Sequence, residues 1–179
     1  INLPNPNEFA KIWEEVTGVA LNKTVRGIVT DSREVCPGDL YIAISGDRVD
    51  GHTFIKDVFE KGAVCALINS EIENADEQLI KVNNSVSTIG KVAKAWRNQF
   101  DIPVMGITGS NGKTSTKELL KHMLSAQFNI HATEGNFNTS IGLPLTLLRL
   151  TKENTMSILE MGANQPGDIA QLCEIAQPT

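Results

Sequence analysis

The chain reads as an α/β protein in two parts, and three observations lead there. Apolar runs of strand length alternate with segments whose apolar residues recur every three or four positions. From residue 102 onward the alternation is regular, strand then helix three times over, which is the pattern of a parallel sheet wrapped by helices. The apolar run at the head of that region (Ile102, Val104, Met105, Ile107) stops at a glycine-rich turn that opens a helix at Gly112-Lys113-Thr114.

In the first part, Phe9, Ile12, Trp13 and Val16 fall at helical spacing, and Gly18 ends that helix. Residues 25–29 read as a strand running into Thr30-Asp31-Ser32-Arg33. Pro37-Gly38-Asp39 is a turn, and residues 40–44 are a second strand. Thr53 is expected to cap a helix over 54–61, with Gly62 stopping it. Residues 64–68 make a buried strand and 79–82 a short one; the acidic stretch Glu71 to Glu77 between them reads as solvated loop or helix face. Val86, Ile89, Val92, Ala93 and Trp96 then define a helix that Asp101-Ile102-Pro103 ends, placed where a connection between domains belongs. In the second part a helix is expected to about Gln127, a strand at 129–133, and a helix at 141–150 with Pro144 in its first turn. A strand at 155–161 and a helix at 166–176 complete the pattern.

A strand, a glycine-rich loop and a helix in that order build a phosphate-binding loop. Glycines let backbone N–H groups curl around an oxyanion, and the helix start adds its positive dipole end. Lys113 is placed to reach the β/γ-phosphates and Thr114 to put its hydroxyl on Mg²⁺. The spacing departs from the strict G-x-x-x-x-G-K-[ST] template, because Ile107 stands where that template has glycine and the glycines fall at 106, 109 and 112. The bland alternative is a tight turn with a chance lysine. Glu160, at the carboxyl end of the apolar run 156–159, is the candidate magnesium ligand, since ligands of open α/β sheets bind at that edge. A strand-end acid capping the next helix is the other account. The amide-rich loop Gly135-Asn136-Phe137-Asn138-Thr139 suits recognition of a polar ligand, although turn chemistry also favours Gly and Asn. Asp31-Ser32-Arg33 and Asp50-Gly51-His52 are polar clusters after strands, and Arg33 has the fork to grip a phosphate or carboxylate.

Composition narrows the classes. With 41% hydrophobic and 21% charged residues the chain is an ordinary globular one, and a net charge of −5 argues against nucleic acid. No apolar stretch has the length to span a membrane. Cys36, Cys65 and Cys173 are odd in number and dispersed, so buried reduced thiols are expected rather than disulfides or zinc, and the histidines are too scattered for a metal cluster. The start at Ile1 and the stop at Gln177-Pro178-Thr179 suggest part of a longer polypeptide.

These pieces, in this order, resemble the Mur ligase family, which forms amide bonds in peptidoglycan precursors at the expense of ATP. The loop Ile107-Thr-Gly-Ser-Asn-Gly-Lys-Thr114 is similar to that family's phosphate loop. Residues 30–33, 37–44 and 50–52 look like its N-terminal uridine-nucleotide-binding domain. Segments 135–148 and 159–162 are most similar to the member that joins D-alanyl-D-alanine to UDP-N-acetylmuramoyl-tripeptide. One departure is Thr139, where the family commonly has asparagine. The resemblance implies an α/β fold with a small UDP-sugar-binding domain at 1–83, a connecting helix at 84–101 and the N-terminal part of a P-loop ATP-binding domain at 102–179. It implies ATP held by Thr108, Gly109, Ser110, Asn111, Gly112, Lys113, Thr114 and Ser115, with Lys113 catalytic, and Mg²⁺ on Thr114 and Glu160. Ser32, Arg33, Asp50, His52, Asn136, Asn138 and Thr139 would contact substrate. It further implies a cytoplasmic enzyme that works with the remainder of its own chain, with no nucleic-acid partner and no membrane insertion. The ligase that adds the diamino acid one step earlier, and a non-catalytic nucleotide-binding scaffold, are the alternatives.

Overall fold

The computed structural model describes residues 1–46, 49–72 and 78–179 and divides into two compact units, Ile1–Thr88 and Ile89–Thr179. The first opens with helix α1, Pro6–Thr17, whose proline sits in the first turn; Asn5 caps it by accepting from the Glu8 amide. Phe9, Ile12 and Trp13 form its buried face, and Gly18 ends it at φ 72°, where the left-handed backbone suits glycine. Four parallel strands follow in sequential order: β1 Gly27–Val29, β2 Asp39–Ile42, β3 Cys65–Ile68 and β4 Leu79–Lys81. β1 to β3 are buried along their length, as strands covered on both faces must be.

The expected cap at Thr53 is corrected by the structure. A 3-10 turn, Gly51–Phe54, precedes helix α2, Ile55–Glu60, and the residue that starts it is Asp50, which accepts from the His52 amide. Thr53 instead donates to the Asp50 carbonyl at 2.7 Å. Gly62 stops the helix at φ 100°. Ile55 and Val58 of α2 pack on Val29, Tyr41, Ala66 and Ile68 of the sheet. Residues 73–77, most of the acidic stretch, lie outside the described residues.

Helix α3, Ser85–Arg97, is started by Asn84, which accepts from the Ser87 amide at 2.8 Å; the division between the units falls within it. The second unit then runs β5 Val104–Ile107, α4 Lys113–Leu124, β6 Ile130–Ala132, α5 Gly142–Leu147, β7 Met156–Glu160 and α6 Asp168–Ala176. Its three strands are parallel in the order β5-β7-β6, so the last strand inserts between the other two and is buried throughout. α4 and α5 end three residues earlier than their apolar patterns suggest. Arg97 is buried and donates to the carbonyls of Ala176, Gln177 and Phe100, satisfying groups that the end of α6 leaves open. Of the cysteines, all three free, Cys65 is buried as expected, Cys173 is half-buried and Cys36 is exposed. No helix among the described residues is long and apolar enough to cross a membrane.

Candidate phosphate and polar-ligand sites

Inserting β7 between β5 and β6 decides what faces the glycine-rich loop. Ile107 pairs with Glu160 in the parallel register, so the loop leaves β5 beside the one carboxylate at the end of β7. Gly109 at φ 145° and Gly112 at φ 77° turn the chain through 108–112 into α4. No side chain caps that helix start, leaving its first amides free for an oxyanion. Lys113 arches back over the loop, its Nζ 2.7 Å from the Gly109 carbonyl.

Thr114 and Glu160, 46 residues apart, meet: the hydroxyl donates to Oε2 at 2.9 Å. Glu160 is 3% exposed, and its other oxygen accepts from the Asn138 amide at 2.8 Å. The asparagine is fixed in turn, since its carbonyl accepts from the Gly162 amide. A hydroxyl and a carboxylate make a hard-oxygen donor pair. Among the described residues no group of three or more His, Cys, Asp or Glu surrounds it. A cation there would complete its shell with phosphate oxygens and water, which is the habit of Mg²⁺.

The amide-rich loop divides by role. Asn138 is committed to Glu160, whereas Asn136 is exposed. Thr139 lies just ahead of α5, its carbonyl accepting from Leu143 at 2.8 Å and its hydroxyl from Gly142 at 3.4 Å. Two residues without a sequence signal of their own stand behind Glu160. Thr133 accepts the Glu160 amide on its hydroxyl, and Lys117 donates to the Thr133 carbonyl. Only the spacing of Lys117, one helical turn beyond Lys113, hints at it. Nearby, His131 is buried with Nε2 donating to the Thr146 carbonyl, so Nδ1 accepts from the Ser157 hydroxyl; burial pushes its pKa down to about 4.

In the first unit a cleft of about 610 Å³ opens beyond the ends of β1 and β2. Thr30, Ser32, Arg33, Tyr41, Gly51 and Phe54 are among its lining residues. Arg33 forms a two-point pair with Asp31, and that guanidinium holds the Asp31 carboxyl down at about 2. Lys61 donates to the Ser32 carbonyl, tying the loop to the residue after α2. Tyr41 donates to the Gly51 carbonyl, and burial raises its phenol to about 12.

Asp50 and His52 lie on either side of Gly51, next to that cleft. The His52 side chain is 6% exposed with both ring nitrogens engaged: Nδ1 lies 2.6 Å from Asp50 Oδ1, and Nε2 accepts from the Asn69 amide at 3.2 Å. A backbone N–H can only donate, so the ring is held as the neutral Nδ1–H tautomer. Both residues flank Gly51, which lines the cleft.

A glycine-rich loop entering an uncapped helix start, opposite a strand-end carboxylate, defines an α/β phosphate-loop domain. The chain belongs to the Mur ligase family: residues 107–179 match the Mur ligase middle domain, and residues 24–97 match a second description of that family, its catalytic domain. It is 38% identical over 166 residues to the UDP-N-acetylmuramoyl-tripeptide–D-alanyl-D-alanine ligase of Synechocystis, covering 92% of this chain and 37% of that protein. MurF from Acinetobacter baumannii superposes with a TM-score of 0.87 at 32% identity, covering 94% of this chain and 39% of that one. MurF ligase from Thermotoga maritima, solved in complex with ADP, gives a TM-score of 0.79 at 41% identity over 86% of this chain and 36% of that one. The chain thus spans little more than a third of the length of these relatives.

Proposed function

We propose that this chain supplies the uridine-nucleotide cleft and the ATP-phosphate site of an ATP-dependent amide ligase of peptidoglycan precursor synthesis. The reaction joins D-alanyl-D-alanine to UDP-N-acetylmuramoyl-tripeptide in the cytoplasm. The observation that carries this reading is the Thr114–Glu160 contact at 2.9 Å beside Lys113 and an uncapped helix start. The similarity to MurF over nearly the whole chain supports the substrates, and the ADP complex of the Thermotoga relative supports ATP.

In this reading Lys113 and the amides of 109–114 bind the phosphates and hold the γ-phosphoryl group in line with the tripeptide's terminal carboxylate. Thr114 and Glu160 would hold Mg²⁺, which supplies neutralisation of phosphate charge. The bond from the γ-phosphorus to ADP breaks as the carboxylate oxygen bonds to phosphorus, giving an acyl phosphate. The dipeptide amine then attacks the acyl carbon, loses a proton, and phosphate departs with the electrons of the C–O bond. No covalent enzyme intermediate is required. Ser32 and Arg33 would contact the uridine nucleotide, with Asp50 and His52 next to that site. Asn136 and Thr139 would face substrate and Asn138 would serve it through Glu160. The arrangement corresponds to a UDP-sugar domain at 1–83, a linking helix at 84–101 and an ATP-binding portion at 102–179, acting together with the rest of the ligase.

The test is phosphate release from ATP by the full-length polypeptide. Release that requires both UDP-N-acetylmuramoyl-tripeptide and D-alanyl-D-alanine is expected, and Lys113→Ala should abolish it. Release with UDP-N-acetylmuramoyl-dipeptide and a diamino acid would move the protein one step back. Bound nucleotide without release under any condition would make it a scaffold.

A further inference from the structure

The parallel ladder between β6 and β7 breaks its own pattern where the carboxylate begins. Ala132 pairs with Ile158, and the Thr133 amide donates to the Ile158 carbonyl at 3.1 Å. Evenly spaced parallel bonding would next have the Glu160 amide donate to the Thr133 carbonyl. That rung is replaced. The Thr133 carbonyl accepts from Lys117 Nζ at 2.7 Å, and the Glu160 amide is taken by the Thr133 hydroxyl at 2.9 Å. All three residues are buried: Lys117 is 2% exposed, Thr133 1% and Glu160 3%.

A lysine is an expensive way to satisfy one carbonyl. Its ammonium leaves water, and the one carboxylate paired with it among the described residues, Glu118 at 3.0 Å, is itself solvent-exposed. Satisfying that carbonyl needs no charge, since the Glu160 amide of an ordinary rung would do it. The lysine therefore does something the fold alone does not need. The lysine ties the Thr133 carbonyl to α4, and the Glu160 amide is held by the Thr133 hydroxyl instead. Glu160 is thereby held at three points: its amide on Thr133, one oxygen on Thr114 and the other on Asn138.

We propose that Lys117 is a positioning residue for the metal-binding carboxylate, acting through Thr133 on the backbone of Glu160. The inference rests on the reading of Thr114 and Glu160 as the Mg²⁺ site. Its measure is the Mg²⁺ concentration that half-saturates the full-length polypeptide carrying ADP, followed by calorimetry, together with ADP affinity in EDTA. Lys117→Met should raise the Mg²⁺ half-saturation about 10–100-fold, the usual cost of removing a residue that orients a metal ligand. ADP affinity in EDTA should stay within about twofold, because the phosphate loop is untouched. Thr133→Val should act in the same direction and Thr133→Ser should behave as wild type. The double variant Lys117→Met/Thr133→Val should be no worse than the weaker single, as members of one chain of contacts are. A folded Lys117→Met with wild-type half-saturation, beside a shifted Glu160→Gln, overturns this inference alone. No Mg²⁺ dependence in the wild type, or none lost in Glu160→Gln, overturns the site reading and the inference with it. Should Lys117→Met fail to fold, equal half-saturation in Thr133→Val and Thr133→Ser overturns the inference.

Discussion

Replacing Gly142 by alanine sets two effects of opposite sign against each other, and the structure decides between them. Gly142 is the first residue of α5 and is buried. Alanine is favoured over glycine in helices by up to about 1 kcal/mol. A methyl group there, however, would lie 2.4 Å from the Phe137 Cα and 2.6 Å from its carbonyl carbon, against ordinary contacts of 3.4–4 Å. Those are backbone atoms and cannot rotate away, so the 135–141 loop must move by about 1 Å, the gap between 2.4 and 3.4 Å. Overpacking of this kind costs about 1–3 kcal/mol. With backbone on the receiving side the upper end applies, leaving a net loss of about 2 kcal/mol. The movement falls next to Asn138, whose amide holds Glu160. Gly142→Ala should therefore lower stability to urea and also weaken Mg²⁺-dependent nucleotide binding. Gly135→Ala is the control: its φ is +53° but nothing lies within 4 Å of the added methyl, so strain of about 1–2 kcal/mol is expected without displacement of the loop. A Gly142→Ala protein as stable as wild type, with unchanged Mg²⁺ dependence, would refute the close-approach argument.

Acid should weaken the fold through His131. Its folded pKa near 4 lies below the unfolded value of 6.5, so the unfolded chain takes up the proton first. Its contribution is thus constant above pH 6.5 and falls away as pH drops toward 4, by at most about 3 kcal/mol at 1.36 kcal/mol per pH unit. His131→Gln should flatten that part of the stability-against-pH curve, and an unchanged slope would show that another group titrates there. In the cleft, Arg33→Ala should raise the KM for the UDP-linked substrate and leave the melting temperature alone, whereas His52→Ala should lower the melting temperature by removing both ring contacts; the reverse outcome would exchange their roles. Glu134→Gln breaks a pair with Arg149 at 2.5 and 2.6 Å, yet both side chains are substantially exposed, so urea denaturation should register under about 1 kcal/mol.

Local chemistry was legible wherever a residue acts on its own neighbours in the chain. Gly18 and Gly62 stop helices because each adopts positive φ, and Pro144 sits in a first turn where its missing N–H costs little. At the start of α2 both Thr53 and Asp50 can cap by residue type, and only the folded backbone shows which one receives an amide. The contacts that hold the His52 ring were not legible, because Asn69, which engages its far nitrogen, is 17 positions away.

The alternation of strands and helices, the glycine-rich loop with its lysine, and the acid that ends an apolar strand are all written in the order of residues. Those follow from periodicity, φ freedom and residue type, all carried by neighbouring residues. That Thr114 meets Glu160, that Asn138 serves the carboxylate, and that Lys117 and Thr133 replace a rung of the sheet arise only in the folded chain. Each of these depends on β7 inserting between β5 and β6, which brings together residues far apart in the chain.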